Sequence, residues 1–221
     1  MSRSRAELVQ VEIEPGWWLS SGRALFLEAE KTLVVADIHW GYADSHRRAG
    51  NLLPLWGNAE TAQRLQRLLD FYRPARMIWL GDSLHTAGSA EAAEEFLSAH
   101  APAEMVILRG NHDRAWGRIT ADHFRLSRCL FHHGDREITV EPGLVEIIGH
   151  IHPAISLGDG AGTRVKVPVL VHGRHRLILP SFSDWSSGAS WSGELGADEK
   201  LWIISPSRIW PLPNAPQIGP R

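Results

Sequence analysis

Cysteine is all but missing from this sequence: Cys129 is the only one in 221 residues. A single thiol closes no intrachain disulfide and cannot supply a cysteine-rich zinc module. Cys129 therefore reads as a small buried hydrophobe within a strand. Long apolar runs are missing as well, and without a stretch of about 18 such residues no membrane span is expected. The opening M-S-R-S-R-A-E-L-V-Q-V-E carries positive charge but no apolar core. It does not read as a signal peptide, and a cytoplasmic location follows by default. Nor is there a surplus of one charge. The 23 Lys and Arg stand against 25 Asp and Glu, a formal net charge of −2. Bulk charge thus gives no support for nucleic-acid or membrane binding, and only a local basic patch stays open.

What is present suits one soluble domain. The chain is 43% hydrophobic and 22% charged, which matches globular proteins and allows a sizeable core. Short apolar runs, punctuated by Gly, Pro and Asp, predict strands at Ala24–Leu27, Thr32–Ala36, Met77–Leu80, Met105–Leu108, Cys129–Phe131 and Leu144–Ile148. Later ones fall at Val167–Val171, Arg176–Leu179 and Leu201–Ile204. A helix over Ala59–Phe71 is predicted from Ala62, Leu65, Leu68 and Leu69 on one face, with Asn58 as its cap and Pro74 beyond its end. A second spans Ala90–His100 after Ser89. A weaker one covers Asp113–Phe124, where Gly117 counts against it. The first two-thirds alternate strand and helix, the pattern of a largely parallel sheet covered by helices. After Gly149, strands and turns dominate and predict a second sheet packed on the first. No repeat, low-complexity tract or linker divides the chain. One domain is expected over residues 1–210, followed by a Pro-rich, frayed tail over 211–221.

Histidine is abundant, with 12 residues, and several sit beside Asp, Asn or Gly where apolar runs end. Five short blocks follow in order: D-I-H (Asp37 to His39), G-D (Gly81, Asp82), G-N-H-D (Gly110 to Asp113), H-H-G-D (His132 to Asp135) and G-H-I-H (Gly149 to His152). Each follows a predicted strand, and open α/β sheets build their sites just beyond the carboxyl ends of strands. Carboxylate, amide and imidazole donors without thiolate suit Mn, Fe or Zn. In an extended segment, Asp37 and His39 would share one side, as would His150 and His152. An Asp after a strand-ending Gly could bridge two ions. Taken singly, His46, His100, His123, His172 and His175 read as ordinary polar residues. His85, one short turn after Asp82, could line the pocket.

The blocks and their order resemble the calcineurin-like metallophosphoesterases, over roughly Leu33 to His152. The resemblance implies a four-layer α/β/β/α sandwich and hydrolysis of phosphoesters by water activated between two divalent ions. Manganese is the expected metal, with Fe or Zn as alternatives. One ion would take Asp37, His39, Asp82 and His152. The other would take Asp82, Asn111, His133 and His150. His112 matches the family's catalytic histidine and Asp113 the carboxylate that orients it. The fourth block offers both His132 and His133. The family pattern puts the ligand directly before Gly, which selects His133 and turns His132 to the opposite face if the segment is extended.

A longer stretch is similar to the bacterial ligase-associated DNA-damage-response metallophosphoesterases, relatives of nuclease subunits of the SbcD type. It rests on Ala24 to His39, R-R-A-G (Arg47 to Gly50), G-D-S-L-H (Gly81 to His85) and R-L-I-L-P-S-F (Arg176 to Phe182). This implies a phosphodiesterase or nuclease acting on DNA in repair, with a DNA ligase or helicase as partner. Two features depart from that subfamily: Gly41-Tyr42 where Gly-Lys is common, and S-F-S-D-W-S-S-G-A-S-W over Ser181 to Trp191. Arg47 and Arg48 are the candidate substrate contacts. Arg109, Arg114 and Arg118 flank the third block, and Trp40, Trp116, Trp185 and Trp191 could offer stacking faces. The alternatives are a nucleotide or phosphoprotein phosphoesterase with the same site, or a catalytically silent metal-binding interaction module.

Overall fold

Strand ends decide where a site can form in an open α/β sheet. The computed structural model describes residues 7–54, 56–113, 116–158, 162–186, 188, 191, 195–196 and 198–212. The first sheet is built from β1 (Gln10–Glu14), β2 (Trp17–Ser20), β3 (Ala24–Leu27), β4 (Thr32–Val35), β5 (Arg76–Trp79) and β6 (Glu104–Ile107), in that order. Its first four strands pair antiparallel, while β4, β5 and β6 run parallel and so end on one side. The second sheet contains β7 (His123–Leu126), β8 (Cys129–His132), β9 (Val145–Ile148), β10 (Ala154–Gly158), β11 (Arg164–His172), β12 (Arg176–Ile178), β13 (Lys200–Ser205) and β14 (Arg208–Leu212). Its order is β14-β13-β11-β12-β9-β8-β7, with β10 paired to β11. Strands β8, β9 and β12 are parallel.

The sheets stack through a shared core in which Leu25, Val34, Ile78 and Leu108 meet Phe131, Ile147, Leu170 and Leu177. Such continuous apolar strands fit sheets covered on both faces. Helices α1 (Tyr42–Arg48), α2 (Gly57–Tyr72) and α3 (Ala90–His100) follow strands of the first sheet. Its outer core joins Leu65 and Leu68 of α2 and Phe96 of α3 to Leu33, Val35 and Met77. In α2 the apolar face is the predicted one. The helix stops where Arg73 turns left-handed, with its N–H on the Leu69 carbonyl, and Pro74 follows.

Several elements differ from the sequence reading. The second sheet begins at β7, before Gly149. The Asp113–Phe124 helix is not formed: Leu108 bridges Ala121, and His123 to Phe124 open β7. Gly117 disfavours helix there, and pairing with β8 satisfies the backbone instead. Asn58 is not the cap of α2. Its amide oxygen accepts the Gly41 N–H at 2.8 Å and its nitrogen donates to Asp44 at 2.9 Å, which clamps α1 against α2. Among the described residues no helix follows His100. Among the described residues, Ile151, Ile155, Trp191 and Leu195 pack on the outer side of the second sheet. Pro211 and Leu212 complete β14, and the rest of the expected tail lies outside the described residues. No described helix is long and apolar enough to cross a membrane.

Candidate metal centre

The loops after β4, β5 and β6 leave one sheet, and those after β8 and β9 leave the other. They are sewn together by backbone. Asp37 N–H donates to the Gly81 carbonyl, His39 N–H to that of Asp82, and Gly149 N–H to that of His133. The segments are not extended, contrary to the sequence reading. Asp37, His39, Asp82, His150 and His152 all have left-handed backbone, with φ between 46 and 63. That conformation costs about 1–3 kcal/mol at each non-glycine residue and persists only where surroundings enforce it. The aspartate and histidine side chains converge through these turns rather than through strand alternation.

Two glycines permit the approach. A Cβ on Gly110 would lie 2.2 Å from both the amide nitrogen and a carboxylate oxygen of Asp82, and one on Gly149 would lie 2.5 Å from the Asp37 carboxylate. Gly110→Ala must therefore push the two loops apart. We expect a stability loss of about 1–3 kcal/mol in urea unfolding, the scale of overpacking, together with loss of bound metal. Wild-type metal content in that variant would show that Asp82 need not stay where it is.

The donor atoms gather in groups. Asp37, His39 and His152 present atoms within 4.8 Å of one another, and so do Asp82, His133 and His150. A third such group, His39, His85 and His112, shares a histidine with the first and has no carboxylate. Asn111 belongs with the second, its Oδ1 lying 3.1 Å from His133 Nε2. His132 is absent from all three. Its Nε2 lies 2.9 Å from Glu146 on the other side of β8, as alternation along a strand requires.

The chemistry of these atoms fits a cation. The Leu80 carbonyl, 2.8 Å away, fixes a proton on His133 Nδ1. His133 Nε2 then faces Asn111 Oδ1, the Asp82 carboxylate at 3.4 Å and His150 Nδ1 at 3.2 Å. Facing lone pairs repel unless a proton or a metal ion sits among them. A proton is one answer: burial opposes it, but the Asp82 hydrogen bond and the charges of Asp37 and Asp82 win, and His133 is pushed up to about 9. Asp82 shows the counterpart, where burial is outweighed by His133 and the His112 N–H and the carboxyl falls to about 2. In the first group, His39 Nδ1 and His152 Nε2 are buried without a hydrogen-bond partner, although Asp37 Oδ1 lies 3.0 Å from the latter. Burial lowers His39 to about 4 and also lowers His150. Both rings are thus neutral near pH 7, the form that binds metal.

His112 stands at the edge of the second group, with Nε2 3.9 Å from the Asp82 carboxylate. Asp113 does not hold its ring. The His85 carbonyl lies 3.0 Å from His112 Nδ1, whereas the buried Asp113 carboxylate accepts N–H groups of Ser83, Leu84 and Gly110. Asp113 braces the loop after β5 against the loop after β6, and a backbone oxygen does the orienting that the sequence reading gave to it.

The remaining candidates divide. Arg47 pairs with Asp44 at 3.0 Å, and Arg48 is exposed on the same helix. Both border an open hollow of about 430 Å³ whose walls include none of the donor residues. Arg109 pairs with Asp122 and Arg118 with Glu94; Arg114 lies outside the described residues. Trp40 is buried against Phe96, Trp116 packs on Trp79, and Trp191 covers the second sheet. These three are packing residues, and Trp185 is half-buried.

His46 and Tyr42, neither a sequence candidate, do reach the site. Their rings stack at 4.3 Å, and His85 contacts both. The i, i+4 spacing would have signalled this had α1 been recognised. Only Ala43 of α1 is buried, so no apolar periodicity marks it.

Comparison with known proteins agrees with this geometry. Residues 30–203 match the family model described as calcineurin-like phosphoesterase. No curated protein matches. Among solved structures, a nuclease MPE from Pseudomonas putida is 23% identical, with 93% of this chain and 100% of that chain covered and a TM-score of 0.70. That likeness supports the two-sheet fold. A Vps29 from Entamoeba histolytica (13% identity, 82% and 96% covered, TM-score 0.38) and a metallophosphoesterase from Sphaerobacter thermophilus (14%, 80% and 85%, 0.36) are looser matches. Because the family match spans well over half of the sequence, this chain belongs to the calcineurin-like phosphoesterases and is a metal-dependent hydrolase of phosphoesters.

Proposed function

We propose that the chain is a two-metal phosphodiesterase acting on DNA, with manganese as the ion and iron or zinc as alternatives. Asp37, His39, Asp82 and His152 would hold one ion, and Asp82, Asn111, His133 and His150 the other. The observation that carries this reading is the pair of donor groups, each within 4.8 Å and each with a carboxylate and two imidazoles. Bound divalent ions would supply charge against the phosphoryl oxygens and lower the pKa of water toward neutrality.

The chain's own residues do the rest. The His85 carbonyl accepts only, so it keeps a proton on His112 Nδ1 and leaves Nε2 facing the donor groups. When the ring carries a second proton, on Nε2, His112 can give it to the leaving oxygen and is left as the neutral Nδ1–H form. Asp82 accepts the His112 N–H at 2.9 Å, which ties that ring's backbone to the metal ligands. Arg48, with no ion pair among the described residues, and Arg47 would meet substrate phosphates.

DNA is favoured over small phosphoesters by the resemblance to the ligase-associated subfamily and by the likeness in fold to a nuclease. A role in repair beside a ligase or helicase, in the cytoplasm, completes the proposal. The test is a manganese-supplemented panel of single-stranded DNA, duplex ends, cyclic nucleotides, dinucleoside polyphosphates and phosphopeptides, with metal analysis in parallel. Cleavage of DNA with two ions per chain is expected. Activity confined to phosphopeptides or dinucleoside polyphosphates would end the DNA reading. Less than one ion per chain would favour the silent interaction module.

A further inference from the structure

We infer that Tyr42, His46 and His85 form a face on which a nucleobase of the substrate stacks, an inference that rests on the phosphodiesterase reading above and names its substrate class. The rings are continuous with the site. His85 stacks on His112 with centroids 5.5 Å apart and planes 22° apart, and His39 meets Tyr42, His85 and His112 edge-on. Tyr42 stacks on His46 at 4.3 Å and 26°, and His46 on His85 at 5.5 Å and 29°. A phosphoester held among the donor groups therefore has ring faces as its neighbours on this side.

Packing alone does not explain the arrangement. Half-buried rings that serve as packing, such as Tyr72 and Trp116, join a hydrophobic cluster, and Tyr42 joins none of them. Tyr42, His46 and His85 are only half-buried and His112 is exposed. The backbone that carries the rings is nonetheless fixed. The Tyr42 N–H donates to the His39 carbonyl, the Asn51 N–H to that of His46, and the His85 N–H to that of Trp40. Asn58 also pins the start of α1. Rigid aromatic surface binds planar partners with little ordering cost. Tyr42 also occupies the position where the subfamily resemblance leads one to expect lysine. Phosphate alone makes no use of ring faces, whereas every nucleobase does.

The test uses the full-length protein and two radiolabelled hexadeoxynucleotides. One is intact, and the other carries abasic tetrahydrofuran residues throughout, so both have the same charge. Filter binding on ice with manganese should show the intact strand bound more tightly by about 5- to 150-fold, the scale of stacking one base. Tyr42→Ala and His46→Ala should bring that ratio close to one, while Tyr42→Phe should keep it. Equal affinity of the wild type for both strands would overturn the inference. So would an alanine variant that keeps the ratio, or a ratio lost in Tyr42→Phe, which would assign the effect to the hydroxyl. Hydrolysis is followed separately. If neither strand is cut, the phosphodiesterase reading fails, and the binding ratio still decides the stacking face.

Discussion

Asp82→Asn should cripple hydrolysis and weaken metal binding together while leaving the fold intact. Asp82 is the residue through which both halves of the site communicate. One carboxylate oxygen accepts the His112 N–H, the other lies 3.4 Å from His133 Nε2, and its carbonyl accepts the His39 N–H. Asparagine keeps the shape, the backbone bonds and one acceptor. It removes the charge and offers an N–H₂ group that no cation can use. Turnover should fall by about 10³-fold, the scale of losing one charged group from an electrostatically organised site. A second readout is independent of catalysis. A ligand at a hundredfold excess over its Kd stabilises the folded state by about 2.7 kcal/mol, so manganese should raise the melting temperature of the wild type and barely move that of the variant. A variant that binds two ions and turns over normally would remove Asp82 from the centre of the site.

Much of this donor cluster was legible because carboxylate, amide and imidazole donors belong to few residue types and each sits beside a strand. The strands that deliver them are short, buried and rich in Val, Ile and Leu, so β4, β5, β6, β8 and β9 could be read within a residue or so. His133, the residue before Gly134, joins a donor group, while His132 turns to Glu146. What could not be read is how the loops turn. Nothing in D-I-H announces two left-handed residues, because that conformation goes with backbone bonds to the Gly81 and Asp82 carbonyls of the loop after β5. The opening strands β1 and β2 were missed for a related reason. Trp17, Leu19 and Ser20 are all buried, so β2 shows no clean alternation. The helix α1 is seven residues of mostly polar side chains held by Asn58 from elsewhere in the chain, and local propensity does not reveal it.

Asp113 shows the limit of reading roles from motifs. The carboxylate is present, as the G-N-H-D block promised, but its oxygens are consumed by three backbone N–H groups. The His112 ring meets the His85 carbonyl instead. His85 thereby contributes its backbone to one histidine and its ring to the stack around Tyr42. The motif G-D-S-L-H thus matters through geometry that residue type alone does not encode.

His112→Ala should separate proton transfer from metal binding. The side chain is 37% exposed and belongs to neither carboxylate-bearing donor group, so the variant should fold and carry its ions. The residue 112 N–H still reaches Asp82, because that bond is made by backbone. What disappears is Nε2, the atom that could protonate a departing alkoxide. Loss of a general acid typically costs about 10²- to 10⁴-fold, and the cost scales with the basicity of the leaving oxygen. Alkyl and nucleoside diesters should therefore suffer most, and activated aryl esters, whose leaving groups depart as stable anions, should suffer least. Added imidazole should restore part of the lost rate for the alkyl esters only. If the variant lost the same factor on every ester, proton donation could not be its role. His112 would then act through charge on the phosphoryl group, a contribution that does not depend on which oxygen leaves. If the ions were lost instead, the group of His39, His85 and His112 would have to be counted among the metal-holding sites, and the separation between ligands and proton donor would disappear.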